Sequence, residues 1–500
     1  MDNSSAPASE AEGRFDYWRK RAGLVLGPLV AVVLWLLPMP GLSPQAHSLS
    51  GVLALTIIFW MTEAIPMAAT ALLGPGLCIA CGVGRDRDVL APFGSPITFL
   101  FLGTFILAQA MQKHGLDRRL ALTLMSLPGL ARSPARVLAA LGFLTAGLSM
   151  WMSNSAMTAV MLPIALGVFR ACPQFARIPG AQSGLVLMIA FAASIGGLAT
   201  PVGTPTNLVA IAALEQHLGQ RISFFQWMQL GVPLMLTLAA TLYFLLRPRD
   251  GGGAHGFAEV AVEFRRQRAT LGPRTRGETN TALAFFLALA LWMYPGLVEL
   301  VAGKGRFGAA FIQAHLPEET VGLLGGLILF LLPMKLREWE FTVSWEDAAR
   351  IDWGTVLLFG GGLALGKQIF ETGLANAIGS QVSFWLGAPS LGTLLAVAII
   401  LSILLSEATS NTASANVMVP MMIAVAQAAH VNPVPVAVAS CLACSFGFML
   451  PISTPPNALA YGTGLVRLPE MIRVGIVLDL AGAVAIWLTM RFLAPALGWS

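Results

Sequence analysis

Two polar triplets, Ser153-Asn154-Ser155 and Ser410-Asn411-Thr412, interrupt long apolar stretches of the chain. Two proline-broken runs do the same: Gly203-Thr204-Pro205-Thr206-Asn207 and Ser453-Thr454-Pro455-Pro456-Asn457. Each break frees backbone groups. N–H groups and hydroxyls at a helix start suit a desolvated carboxylate, while carbonyl and hydroxyl oxygens suit a small hard cation. None of the four carries Lys or Arg, so the charge of a bound anion is expected to be balanced by co-bound cations. Nucleophilic catalysis needs a base beside the nucleophile, and neither His nor Lys lies near any serine-containing break. The six histidines (His47, His114, His217, His255, His315 and His430) are scattered and suggest neither a triad nor a metal site.

The elements that position these breaks follow from composition. Of 500 residues, 56% are hydrophobic and only 11% charged, and mean hydropathy is +0.74. Globular chains carry about 25% charged residues, so lipid rather than water is the expected solvent. The 51 Gly and 31 Pro fit membrane helices, whose neighbours re-satisfy freed backbone groups. The net charge of +5 is spread over helix ends, which excludes a nucleic-acid surface. Cys78-x-x-Cys81 and Cys441-x-x-Cys444 lie in apolar runs and read as core residues rather than metal ligands. The fold class expected is an all-α polytopic membrane protein.

A span needs about 20 apolar residues. Eleven are expected, near 23–39, 49–66, 68–84, 96–113, 183–217, 225–247, 280–299, 320–335, 353–371, 433–463 and 470–496. Residues 133–170 and 391–428 are apolar but broken midway by the triplets. Each reads as a re-entrant hairpin with the triplet at its tip, because such a break is tolerated only where protein or a water-filled cavity covers it. With the N-terminus cytoplasmic, six basic residues fall outside (Arg85, Arg87, Arg221, Lys304, Arg306 and Arg491) and Lys367 lies within a span. The others fall inside, including seven arginines from Arg247 to Arg276, as the positive-inside rule requires. The C-terminus is then outside. The first 22 residues hold no apolar core, so no cleaved signal peptide is expected. The bacterial inner membrane is the expected location.

The two halves repeat. Gly103 and Gly361, Gly115 and Gly373, Ser153 and Ser410, and Gly203 and Ser453 are landmarks in one order. Five spans and a hairpin per half make the second repeat enter from the opposite face, the inverted-repeat plan of secondary transporters. The domains expected are a tail (1–22), a first span outside the repeats (23–48), repeat 1 (49–247), a cytoplasmic linker with Gly251-Gly252-Gly253 (248–279) and repeat 2 (280–496).

With these landmarks, the chain resembles the divalent anion:sodium symporter family of dicarboxylate, citrate and sulfate transporters. The resemblance covers residues ~50–490. It rests on Trp60-Met61-Thr62-Glu63-Ala64-Ile65-Pro66, on Phe359-Gly360-Gly361-Gly362-Leu363-Ala364-Leu365-Gly366, and on the paired triplets with their Thr-Pro partners. It implies a homodimeric elevator, in which the hairpins with spans 183–247 and 433–496 move against a static scaffold. It also implies one sodium site at Ser149, Ser153, Asn154 and Gly203, and another at Ser406, Thr409, Asn411 and Ser453. Substrate carboxylates would meet Asn154, Ser155, Asn411 and Thr412, with Thr204, Thr454 and Pro455 nearby. The family's dicarboxylate carriers usually have Thr where Ser155 stands, which opens the identity of the anion. The run Gly115–Leu127 corresponds to a helix linking scaffold and transport domains.

The function expected is sodium-coupled uptake of C4-dicarboxylates (succinate, fumarate, malate) or related divalent anions. Membrane lipid is the surrounding partner, and no organic cofactor or enzymatic activity is expected. A cation-independent exchanger and a sulfate carrier are the alternatives within transport; an anion channel or an intramembrane hydrolase are those of another class. Glu407 reads equally as a proton carrier, a charge near the second sodium site or a carboxylate held by backbone amides. Glu63 reads as a structural tie. Asp479 and Lys367 pair, or line a domain boundary.

Overall fold

The computed structural model describes residues 6–127, 129–130, 133–248, 257–303, 307–387 and 389–499. Gly251-Gly252-Gly253, Lys304 and Arg306 lie outside the described residues. Seven helices among these are long and apolar enough to cross a membrane: Pro44–Thr62, Asp86–His114, Asn154–Ala171, Phe224–Leu246, Arg276–Ala302, Leu391–Ala408 and Leu468–Leu493. Shorter apolar helices, Met67–Ala80, Pro134–Ser149, Ala181–Gly197 and Pro433–Ala443, accompany them. The chain divides into two compact units, and each draws on both sequence repeats.

The first unit comprises Met1–Ser95, Val209–Gln220 and Trp353–Cys444. Its first helix, Ala6–Leu36, begins within the stretch expected to be a tail. The glycine-rich helix Trp353–Glu371 lies on Met67–Ala80, and a Cβ on Gly361 would meet Ala71 O at 2.2 Å. Helices Leu391–Ala408 and Asn411–Ala428 form a hairpin separated by only Thr409 and Ser410. The structural tie at Glu63 is present: this residue ends Pro44–Thr62 in a left-handed conformation (φ 48°) and pairs with Arg19 at 3.4 Å. Lys367 meets Asp88 O at 3.0 Å and Glu371 at 3.6 Å, partners within its own unit.

The second unit comprises Pro96–Leu208, Arg221–Asp352 and Ser445–Ser500. Gly103, the repeat mate of Gly361, has the same role: a Cβ there would sit 2.0 Å from Gly322 O of helix Glu318–Leu327. Small residues let apolar helices touch backbone to backbone where lipid provides no hydrophobic drive for association. The hairpin here is Pro134–Ser149 with Asn154–Ala171. The span expected at 320–335 is shorter than the sequence suggested. Its helix stops at Leu327, a 3-10 turn runs to Phe330, and Pro333–Lys335 pairs as a strand with Glu340–Phe341. Pro333 lacks an N–H and cannot donate a helical hydrogen bond at this point. This two-stranded ribbon is the one departure from helix and loop among the described residues, and the expected all-α polytopic class stands.

Two helices at matching places in the two halves follow a left-handed glycine. Gly115 (φ 67°) precedes Leu116–Met125, and Gly373 (φ 82°) precedes Leu374–Leu386. A side chain at either position would be strained.

Candidate functional site

The second unit holds one triplet and both proline-broken runs. Helix Pro134–Ser149 ends at Ser149, and after a four-residue turn Asn154 opens the next helix, with Ser153 as its N-cap. The Ser153 hydroxyl accepts from Ala156 N at 3.2 Å. Ser149 Oγ donates to Asn154 Oδ1 at 2.9 Å. This bond turns the asparagine amide back toward the preceding helix end. Ser149 is buried, Asn154 and Ser155 half-buried, and Ser153 exposed. Trp151 holds the turn: its ring lies parallel to Phe224 (6.3 Å, 8°), which lies parallel to Trp292 (4.8 Å, 9°).

The expected span 183–217 is two helices, Ala181–Gly197 and Pro205–Leu218, with residues 198–204 between them. Gly203 backs directly onto Gly197. A Cβ on Gly203 would meet Gly197 O at 2.6 Å, and one on Gly197 would meet Asn154 Oδ1 at 2.7 Å. Ser149, Asn154 and Gly203 are therefore together, with only glycine fitting at the two close approaches. The Ser153 side chain is used as a cap instead.

Asn207, the last residue of the first proline-broken run, braces the break. Asn207 Nδ2 donates to Gly197 O at 2.8 Å and to Thr200 O at 2.7 Å. Asn457 repeats this in the other run, donating to Gly447 O at 2.7 Å and Leu450 O at 2.9 Å. Both asparagines are fully buried, and Oδ1 of each is without a protein partner. Thr206 Oγ1 lies 2.7 Å from Ser445 Oγ and 3.4 Å from Thr204 Oγ1. Thr454, buried, caps helix Pro455–Gly462 by accepting from Asn457 N at 3.4 Å. Ser453 is buried and Pro455 exposed. The sequence signal for the braces was their identical place, three residues after Thr204 and Thr454.

The other triplet belongs to the first unit. Ser406 Oγ lies 2.8 Å from Asn411 Oδ1 and within hydrogen-bond reach of Cys444 O. The spacing of five residues and the distance match the Ser149–Asn154 pair. Thr409 Oγ1 bonds Leu405 O at 3.0 Å and pairs with the Ser414 hydroxyl. Thr409 and Thr412 are buried and Asn411 half-buried. Ser410 opens its helix without the side-chain cap that Ser153 makes. Ser453, the fourth residue expected at this cation set, belongs to the other unit. Glu407 is buried near the end of helix Leu391–Ala408, four residues before Asn411.

Chemically, each triplet offers a half-buried amide, neighbouring hydroxyls and the N–H groups of a helix start. Such a terminus favours anions. Beside it are serine and amide oxygens and a nearby carbonyl, the hard-oxygen environment that small cations take. No cluster of three or more His, Cys, Asp or Glu residues able to hold a metal occurs among the described residues.

The chain resembles two sodium-dependent dicarboxylate transporters named SdcS. That of Staphylococcus saprophyticus is 34% identical over 95% of this chain and 91% of the relative. That of Staphylococcus aureus strain MRSA252 is 33% identical over the same shares. The fold is similar to the YdaH transporter of Alcanivorax borkumensis (TM-score 0.57, 15% identity, 97% of this chain and 98% of that one). It is also similar to MtrF of Neisseria gonorrhoeae (TM-score 0.56, 13% identity, 92% and 97%). The model of the sodium:sulfate symporter transmembrane region matches residues 19–499, and the chain belongs to that divalent anion:sodium symporter family.

Proposed function

We propose that this protein is a secondary active transporter that couples sodium to the uptake of C4-dicarboxylates such as succinate, fumarate and malate. It is a membrane transporter and not an enzyme. The observation that carries this reading is the matched geometry of Ser149–Asn154 and Ser406–Asn411, five residues apart in both repeats, at 2.9 and 2.8 Å. The dicarboxylate and sodium named for the SdcS relatives support the substrate class.

In this mechanism Ser149, Ser153, Asn154 and Gly203 take one sodium ion, and Ser406, Thr409, Asn411 and Ser453 take a second. Asn154 and Ser155 meet one carboxylate; Asn411 and Thr412 meet the other. Thr204, Thr454 and Pro455 complete the surroundings. Sodium binds beside uncharged ligands and supplies the positive charge that makes a dianion tolerable there. The hairpins are re-entrant, eleven spans cross the bilayer, and the hairpins with their broken spans move as an elevator within a homodimer. The N-terminus is cytoplasmic and the C-terminus outside. Cotransport of three or more sodium ions would carry net charge, each unit gaining ~2.3 kcal/mol per 100 mV.

The test is labelled succinate uptake into liposomes holding the purified protein. Uptake that requires an inward sodium gradient and rises with an inside-negative potential is expected. Uptake that needs only internal succinate would make the protein an exchanger. Ser155, where dicarboxylate carriers of the family usually have Thr, favours testing sulfate as the second substrate.

A further inference from the structure

The first unit contains a cavity of about 650 Å3 that neither the triplets nor the broken spans use. Its walls come from helices Pro44–Thr62, Trp353–Glu371, Leu374–Leu386 and Asn411–Ala428. Of the residues lining it, Gln381 and Trp385 are exposed, Trp385 by 74%. Thr56, Trp60, Leu365 and Asn416 are buried, at 0, 3, 3 and 4% exposure. No charged residue is among those lining it.

The polar atoms of the walls are unequally satisfied. Ser50 donates its hydroxyl to His47 O at 2.7 Å, and Thr56 donates to Val52 O at 2.8 Å. Asn416 Nδ2 donates to Leu358 O at 3.0 Å. Each of these groups makes a bond, whereas Asn416 Oδ1 is buried with no protein partner. The amide is held there by contact with the main chain: a Cβ on Gly362 would overlap it at 2.1 Å. A buried acceptor left unpaired costs about 1–3 kcal/mol. Uncharged, largely apolar walls with one unmet buried acceptor favour a neutral molecule carrying a donor over an ionised carboxylate, which only accepts.

We infer that this cavity is a ligand site, separate from the anion path, for a small apolar molecule that enters hydroxyl-first and donates to Asn416 Oδ1. Helix Asn411–Ala428 begins at the second triplet and forms one wall. An occupant therefore restrains that helix against the other three and slows turnover; this consequence rests on the transport reading, while the site itself does not.

The experiment uses the full chain in liposomes and 1-octanol bearing a photoactivatable diazirine, with the corresponding octane as the donor-free control. Adducts are mapped by peptide mass spectrometry. The alcohol is expected to label residues 50–60, 374–385 and 416–424 at least fivefold more than the alkane does. Excess unlabelled octanol should compete, and Ala54→Trp and Ala377→Trp, which fill the cavity separately, should each remove the adducts. Asn416→Leu should erase the preference for the alcohol. In uptake, octanol should lower the maximal rate and leave the succinate half-saturation unchanged. Labelling spread evenly over lipid-facing helices, equal labelling by alkane and alcohol, or adducts surviving in both filled variants overturns the site. A rise in succinate half-saturation alone overturns its separateness. If no uptake occurs at all, the labelling still decides the site and only the transport reading fails.

Discussion

Asn207 and Asn457 make the same pair of hydrogen bonds in the two repeats. Each Nδ2 reaches the carbonyls ten and seven residues upstream, Gly197 and Thr200 for one and Gly447 and Leu450 for the other, at 2.7–2.9 Å. One buried amide thus replaces the backbone bonds lost where each span is interrupted. Carbonyls at an interruption otherwise go unpaired in a region without water. The interruption is consequently a fixed shape and not a frayed helix.

Replacing either brace removes two hydrogen bonds and leaves two buried carbonyls. Asn207→Ala and Asn457→Ala are each expected to destabilise the fold by about 2–4 kcal/mol and to abolish uptake. Thermal unfolding in detergent beside liposome uptake checks this. An unshifted midpoint for both variants would show that water or neighbouring groups satisfy those carbonyls.

The Ser–Asn pairs are predicted to set sodium affinity. Ser149→Ala and Ser406→Ala should each raise the sodium concentration for half-maximal uptake about tenfold, the equivalent of ~1.4 kcal/mol. Asn154→Ala and Asn411→Ala should abolish uptake while the protein remains in the membrane. Near-normal transport by either asparagine variant would sink the assignment.

At Gly203 the backbone of the neighbouring chain segment occupies the space a methyl would need. Gly203→Ala should therefore eliminate uptake. Gly147→Ala is the matched control, since a Cβ there meets nothing within 4 Å and helix Pro134–Ser149 gains about 0.5–1 kcal/mol from alanine. Equal behaviour of the two variants in uptake assays would contradict the close approach.

Arg119 ties helix Leu116–Met125 to the C-terminal end of the stretch expected as the linker. Its Nε donates to Glu278 at 2.6 Å, Nη1 to Gly272 O at 3.0 Å, and Nη2 to Leu271 O and Pro273 O at 3.1 and 3.3 Å. Arg119→Ala leaves a largely buried carboxylate unpaired and is expected to cost about 3–5 kcal/mol. Arg119→Lys should recover only part of this, because an ammonium lacks the planar fork. Denaturation midpoints of the two variants decide it.

Asp347 supplies a pH signature. Burial pushes its carboxyl up, but the Lys113 ammonium at 2.7 Å and hydrogen bonds from Ser344 outweigh that and leave it below the usual aspartate range. A carboxyl lowered on folding contributes stability above its unfolded pKa of about 3.9 and loses it as pH falls through the folded value. Thermal midpoints measured from about pH 6 down to 3 should therefore fall less steeply for Asp347→Asn than for the native chain. Parallel curves would remove Asp347 from the acid response.

Much of this protein could be read along the chain because its signals are local. Apolar runs located the helices, Pro205 and Pro455 marked where broken spans resume, and both triplets sit at helix starts. Landmark order suggested the repeat, and Gly103 and Gly361 are close helix contacts in both halves. Lipid as solvent makes these signals strong, since each interruption of an apolar run needs a partner for its backbone.

Other features needed the tertiary structure. The Arg119 fork joins residues more than 150 positions apart, and the parallel rings of Trp151, Phe224 and Trp292 come from three separate segments. The short strand Pro333–Lys335 lies where hydropathy alone continued a span, and it pairs with Glu340–Phe341 just beyond. The cavity lined by Asn416 draws its walls from four helices, and Gly362 leaves the room that the amide occupies. Which atoms remain unpaired depends on which surfaces meet, and packing across distant segments sets that while local pattern does not.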